Sequence, residues 1–462
     1  MATTTETRTY AALRAVLVPL ALAQFICSFA GSNMNVMIND ISHDLHTTVQ
    51  GVQISITAFL LVMAALMIPG SKLTDRYGRK RLLVFGLAIY GVGAVLSAVS
   101  PGIGVLILGN SIFEGVGTAM LIPPVYILVT LLYTDVTSRA RAFGVIMAMA
   151  GVGAATGPLI GGLITTGISW RASFGFQALV IVVIILLSRS VKDPLPTNPG
   201  RPFDVGGAVL SAVGLILVVM GILATKNSLW LALALIVLGA LVLVWFLLWI
   251  RARQRAGREP LISTSLFRNW ASNLGMITQN IQWLVLMGSS FTVATYLQEV
   301  RGYSAIKTGV VLTAATIGML VSSLSAERLA KRRAQRTLIM AGFVLTVLGI
   351  GVLLGLSYVS AGPWVSAPGL FLMGLGVGIM LTPSVNIVQS SFPESEQGEI
   401  SGLSRSVSNL GSSFGTAIAG TIIVAGLTRH AYATAMIVVA GFGLIGLIAA
   451  LLLPRGRIGA VA

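Results

Sequence analysis

The sequence predicts an all-α polytopic membrane protein, and three observations carry that expectation. Mean hydropathy is +0.92 over 462 residues, with 55% hydrophobic and only 10% charged side chains. The apolar residues come in runs of about 20, the length that spans the hydrocarbon of a bilayer. The few charges gather between those runs, as in "KLTDRYGRKRLL" at 72–83, instead of spreading over a surface. A water-soluble core does not need this composition. Lipid does, because it demands internally satisfied backbone groups and rewards small residues, here 52 glycines, that let helices approach closely.

Fourteen runs qualify as spans, near 14–37, 52–71, 82–100, 104–132, 142–166, 172–188, 205–224, 229–250, 272–297, 305–326, 337–358, 364–388, 400–426 and 432–453. The fourth is long and holds Pro123 and Pro124, which predicts a kink there or an extension past the bilayer. Cytoplasmic loops carry an excess of Lys and Arg. With both ends cytoplasmic, most of the 30 cations fall in inside segments, among them 72–81, 251–268 and 328–336. The opposite loops then hold only Arg171, Lys226, Arg301, Lys307 and Arg429, while Arg405 lies within a span. An even span count gives this asymmetry, so 72–81 is expected to be a cytoplasmic turn between the second and third helices.

Several classes are disfavoured. The net charge of +16 suggests nucleic acid only at first sight, because no basic region is interleaved with aromatics. Nucleic acid is therefore not an expected partner. The single cysteine, Cys27, lies in an apolar run, so no disulfide framework or Cys-based metal site is expected. No cofactor is expected either, and with no Walker loop ATP is not the direct energy source. The polar start "MATTTETRTYAALR", with no small-residue cleavage site after the first apolar run, argues for a retained first helix rather than a signal peptide.

The turn "SKLTDRYGRKR" resembles the signature between helices 2 and 3 of the major facilitator superfamily, G-x-L-a-D-R-x-G-R followed by K or R, with Ser71 at the first glycine's place. Gly78 supplies the positive φ a tight turn needs. Asp75 is the one acid among five cations, able to pair with Arg139 or Arg141 of the next inside loop or to face a helix N-terminus. By resemblance Asp75, Arg76, Gly78, Arg79, Arg139 and Arg141 form a latch that joins two helix bundles; the other reading is that the cations only enforce topology. "GVGAATGPLIGG" at 151–162 resembles the G-x-x-x-G-P-x-x-G-G motif of export-type branches. Gly153, Gly157 and Gly161 share one helical face, Pro158 permits a bend, and Gly162 completes the motif.

The resemblance extends over nearly the whole chain, through "WRASF" at 170–174, "PLISTSLFRN" at 260–269, "YLQEVRGYSAIKTGVVL" at 296–312 and "GEISGLSRSVSNLGSSFGTAIAG" at 398–420. The chain is identified as a member of the fourteen-span drug:proton antiporter family. That resemblance implies a six-helix bundle over 1–188, two linking transmembrane helices over 189–271 and a second six-helix bundle over 272–462. "ERLAKRRAQR" at 327–336 is a degenerate echo of the 72–81 turn in the second bundle.

The chain departs from the family at two charges. Where helix 1 usually carries an aspartate, this sequence has Ala30, and where helix 4 usually reads R-x-x-Q-G, it has Ser111 and Glu114. Glu114 is the one acid expected deep within a span. A carboxyl in hydrocarbon is costly to ionise, which suits a proton carrier. Reach to water, or a structural partner, would make it an ordinary side chain. Arg405 snorkels to the interface or contacts an anion or substrate. Gln24, Asn33 and Asn35 in helix 1, Gln177 in helix 6, Gln279, Asn280 and Gln282 in helix 9, and Asn386 in helix 12 are candidates for a substrate cavity; stapling of helices is the other role for each.

The function expected is export of small hydrophobic or amphipathic compounds by a secondary active transporter, coupled to protons and working by alternating access in the cell membrane, as a monomer. An uncoupled or differently coupled transporter of a specific lipid or metabolite stands beside it.

Overall fold

The computed structural model describes residues 2–133, 136–193, 196, 200, 202–225, 228–359, 362–392 and 397–454. Among these lie fourteen long helices and no strand. The first six are α1 (Ala2–Asn33), α2 (Val49–Tyr77), α3 (Arg79–Ala98), α4 (Ile103–Leu132), α5 (Val136–Gly167) and α6 (Trp170–Leu187). Next come α7 (Val205–Ala224) and α8 (Leu229–Arg255). The last six are α9 (Trp270–Thr295), α10 (Ala305–Arg332), α11 (Gln335–Val359), α12 (Ala367–Gln389), α13 (Gln397–Gly426) and α14 (Arg429–Leu451). Every apolar run read as a span coincides with one of them.

Thirteen of these helices are long and apolar enough to cross a membrane. The exception, α9, has the length, but Asn273, Thr278, Gln279, Asn280 and Gln282 crowd its first half. It is packed between α12, α13 and α14, so its polar groups meet protein. The break between α2 and α3 falls at Gly78, whose φ of +97° is open only to a residue without a side chain.

Helix α4 holds Pro123 and Pro124 inside its α-helical part, Gly115–Leu132. It also departs from α-helical winding at a place the prolines do not mark. The departure lies more than two turns earlier, in a π-helical stretch over Ile107–Glu114. Such stretches shift the register of a helix face. Here the stretch packs on α3 through Gly93 and Gly109, where an added methyl would meet backbone of the facing helix.

Helices α1–α6 form one bundle and α9–α14 the other, with α7 and α8 packed as a hairpin against each other. The hairpin does not stand apart. Val219 and Leu223 of α7 pack with Leu61 of α2 and Ala417 of α13, so the hairpin covers a line where the bundles meet. Its outer surface is strongly apolar, with Trp230 83% and Trp245 58% exposed, as suits lipid. At its base Asp204 is 3% exposed and fully engaged. Its carboxylate accepts from Gly207 N (3.0 Å), Trp249 Nε1 (3.1 Å) and Leu261 N (3.1 Å), and Arg253 Nε lies 3.5 Å away.

Candidate functional site

The two bundles meet along two antiparallel pairs of helices. In the pair α2 and α13, Gln53 Nε2 donates to Thr416 O (3.1 Å) and Ala417 O (3.2 Å), and Ser413 Oγ donates to Thr57 O (3.2 Å). Further along, Ser406 donates to Ala64 O. In the pair α5 and α10, a Cβ added at Gly162 would lie 2.6 Å from Ala305 O, and one at Gly309 would overlap Pro158 O. The 151–162 motif is therefore shared between both sides. Gly153, Gly157 and Gly161 face Phe25, Ser32 and Asn33 of α1 within their own bundle, while Pro158 and Gly162 face α10 of the other.

Both ends of this seam carry specific ties. At the end bearing the 72–81 turn, Lys72 Nζ lies 3.2 Å from Glu259 Oε1 and also contacts Glu399 at the start of α13. Glu399 in turn accepts from Ser263 N (3.3 Å). One lysine thus joins the first bundle, the linking loop and the second bundle. At the far end, Gln298 Nε2 donates to Asn35 O (2.7 Å) and its Oε1 accepts from Asn39 N (3.2 Å). Asp40 and Glu299 sit beside this contact, one from each bundle, and burial raises the carboxyl pKa of both above the ordinary range, with His43 opposing the shift in each.

The rest of the charged turn works locally. Asp193 accepts from Arg79 N (2.6 Å), satisfying an open donor at the start of α3, and Arg79 Nη1 lies 3.7 Å from its other oxygen. Lys80 Nζ donates to Arg189 O (3.0 Å), and Arg76 lies over the Tyr77 ring. Arg141 is exposed. The side chains of Asp75 and Arg139, the centre of the expected latch, lie outside the described residues.

Arg405 does not stop at its own bundle. Its guanidinium lies 4.7 Å from the ring centre of Tyr126 on α4 and contacts the phenol oxygen. Tyr126 then donates to Gln24 Oε1 (3.0 Å), and Gln24 Nε2 donates to Ser28 Oγ (3.2 Å). An arginine, a tyrosine and an amide from α13, α4 and α1 form one polar path across the seam.

Glu114 is fully buried and faces α3. Ser97 Oγ donates to its Oε1 at 3.4 Å, Tyr90 is a second partner, and Oε2 has no hydrogen-bond partner. Tyr90 in turn donates to Gln177 Oε1 (2.6 Å). The group lies in the interior of the first bundle, linked through Tyr90 to α6. Leaving a carboxylate oxygen unmatched at such depth is expensive if the group is charged.

Most of the remaining polar candidates have protein partners. Asn33 and Ser173 pair side chain to side chain (3.0 and 3.2 Å). Gln279 bonds Ser404 and Ser408 (both 2.9 Å), and Asn280 Nδ2 donates to Val407 O (2.8 Å). Gln282 Nε2 donates to Val377 O (3.4 Å), with its Oε1 buried and unmatched, as is Asn35 Oδ1. Asn386 is exposed. Lys72, Glu259, Glu399, Gln53, Gln298 and Tyr126 were not singled out from the sequence. The signals were there: an amide inside an apolar run for Gln53, a lone acid in a basic loop for Glu259, and an acid at the start of a span for Glu399.

A family model described as Major Facilitator Superfamily matches residues 20–207, 202–416 and 276–460. A puromycin resistance protein of Streptomyces alboniger is 29% identical over 412 residues, 88% of this chain and 81% of the relative. A multidrug efflux pump of Mycolicibacterium smegmatis is 28% identical over 424 residues, 92% of this chain and 82% of the pump. A probable actinorhodin transporter of Streptomyces coelicolor is 28% identical over 435 residues, 92% and 75% of the two chains. The crystal structure of a peptide transporter in complex with sulfate superposes with a TM-score of 0.69 at 17% identity, covering 95% of this chain and 96% of that one. This likeness concerns the fold.

Proposed function

Because the chain belongs to the Major Facilitator Superfamily and is a multi-pass membrane transporter, we propose that it exports small hydrophobic or amphipathic compounds by alternating access, driven by protons. The observation that carries the reading is the seam itself. Besides the packed pairs α2/α13 and α5/α10, the two bundles are tied at each end by specific polar contacts, Lys72 with Glu399 at one and Gln298 with Asn35 at the other, as two gates would need. Efflux is supported by the names of the relatives and by the 151–162 motif. In this reading all fourteen helices span, residues 1–188 and 272–462 are the moving bundles, and 189–271 links them. The turn end is cytoplasmic by its cation excess. Asp75, Arg76, Gly78, Arg79, Arg139 and Arg141 act with Lys72 as the latch. Glu114 takes the proton, since its depth and unmatched oxygen favour a group that exchanges one. Arg405, Gln24, Asn35 and Gln282 are the first residues to test for substrate contact, and the protein works as a monomer.

The test is transport by purified protein in vesicles under an imposed pH gradient, using a hydrophobic dye. Accumulation against the dye gradient with proton release supports the reading; equilibration without proton movement contradicts the coupling. Asp75→Asn is expected to insert normally and transport slowly. Normal rates at normal expression would remove it from the latch.

Two observations favour a second reading. Ala30 stands where the resemblance puts an acid, and Glu114 points toward α3 rather than across the seam. Those features suit an uncoupled or differently coupled transporter of a specific lipid or metabolite, which the same vesicle assay separates.

A further inference from the structure

The base of the linking hairpin carries a cluster that transport does not use. We propose that the end of α8 binds the anionic phosphate headgroup of a phospholipid. A cavity of about 320 Å³ opens there, lined by Arg251, Gln254 and Arg255 of α8 and by Thr264 of the following turn. Gln254 Oε1 accepts from Thr264 N (3.4 Å) and from its hydroxyl, which fixes the wall opposite the arginines.

The arginines are unusual in what they lack. Arg251 and Arg255 stand at i and i+4, on one helix face, where like charges repel. Among the described residues neither side chain has an ion pair or a hydrogen bond. Arg253 between them is engaged, 3.5 Å from Asp204 and donating to Glu259 O (3.4 Å). The nearby acids are committed too, Asp204 at the hairpin base and Glu259 to Lys72. Two cations thus face one cavity with no anion of the protein between them. The helix C-terminus adds partial negative charge, so the arginines alone must supply the attraction.

The surface leading to the cavity favours a lipid over a free anion. Val244, Trp245, Leu247 and Leu248 are 53%, 58%, 40% and 55% exposed in the turns just before Arg251. Leu247, Arg251 and Arg255 follow one another on a single face. An apolar lane followed by paired cations has the order of an acyl chain followed by its phosphate. Basic pockets at the ends of transmembrane helices recognise such headgroups.

The test is lipid retention by the purified full-length protein, read by native mass spectrometry with dioleoyl phosphatidylglycerol, dioleoyl phosphatidylcholine and inorganic phosphate. The protein should keep phosphatidylglycerol at least tenfold better than phosphatidylcholine. The double variant Arg251→Gln/Arg255→Gln should lose that preference, while Arg258→Gln should keep it. Both variants replace exposed side chains, and an unchanged thermal unfolding midpoint shows that they are folded. Leu247→Ser should weaken the lipid alone. Equal retention of the two lipids, or an unaltered preference in the double variant, would overturn the proposal. Displacement of phosphatidylglycerol by millimolar inorganic phosphate would overturn the lipid as the bound species.

Discussion

Lys72 reaches Glu259 of the linking loop at 3.2 Å and Glu399 of the second bundle at the same time, with its side chain only 11% exposed. A lysine shared by two acids in a partly buried setting is screened less by water than a surface pair, and removing it leaves both acids without their partner cation. The contact joins the three parts that must part company if the turn end is to open.

Lys72→Met is expected to weaken closure of the turn end by on the order of 1–2 kcal/mol, about a tenfold shift in the population of the closed state. Distances between spin labels on α2 and α13 near residues 72 and 399 read this directly. Unchanged distance distributions would show that the lysine does not hold the bundles.

The α5–α10 contact tolerates almost no added volume. Gly309→Val places a branched side chain against Pro158 O, and Gly162→Val does the same against Ala305 O. Overpacking of this kind costs about 1–3 kcal/mol. Both variants should lower the thermal midpoint and slow transport, whereas Gly167→Ala, with open space around it, should change neither. The same logic applies to Gly157→Leu and Gly161→Leu against α1.

Acid should favour the closed far end. Asp40 and Glu299 come from opposite bundles, and burial raises both carboxyl pKa values. A raised pKa means that the closed form binds protons more tightly than an opened, hydrated one, so closure gains stability as pH falls through the raised values and loses it above them. Label distances flanking Asn39 and Gln298 should shorten on acidification and become insensitive to pH in Asp40→Asn/Glu299→Gln. His43 acts on both carboxyls, so His43→Gln serves as the control.

Asp44 behaves oppositely. Hydrogen bonds from Arg171 and from Trp170 Nε1 (2.9 Å) lower its pKa. Its contribution to the far-end loops is present above the ordinary carboxylate range and is lost as pH falls through the depressed value. Between pH 5 and pH 8 the stability difference between wild type and Asp44→Asn should therefore stay constant in thermal unfolding.

Long apolar runs and loop charge made the helices legible in the sequence, since lipid leaves the chain few alternatives. Gly78 was legible for the same reason, as a tight turn has one residue that fits. The partners of polar side chains were not. Gln279 and Asn33 look alike as amides in spans, and only packing shows that Gln279 meets Ser404 and Ser408 whereas Asn33 meets Ser173. Glu114 closes the π-helical stretch of α4, and Gly109 within that stretch looks in the sequence like any other small residue of a span. Lys72 was hidden by its neighbours, one cation among five, until the fold brought Glu399 to it.

The most direct test of proton-driven export is substrate-induced proton movement in vesicles holding either the wild type or Glu114→Gln. The glutamine keeps the volume of the side chain and its bond with Ser97, so the variant should fold and bind. Wild type should accumulate a hydrophobic dye against its gradient while dissipating the pH gradient. Glu114→Gln should only equilibrate the dye, with a flat pH profile. Uphill accumulation by Glu114→Gln at the wild-type rate would contradict the assignment of the proton to this carboxyl.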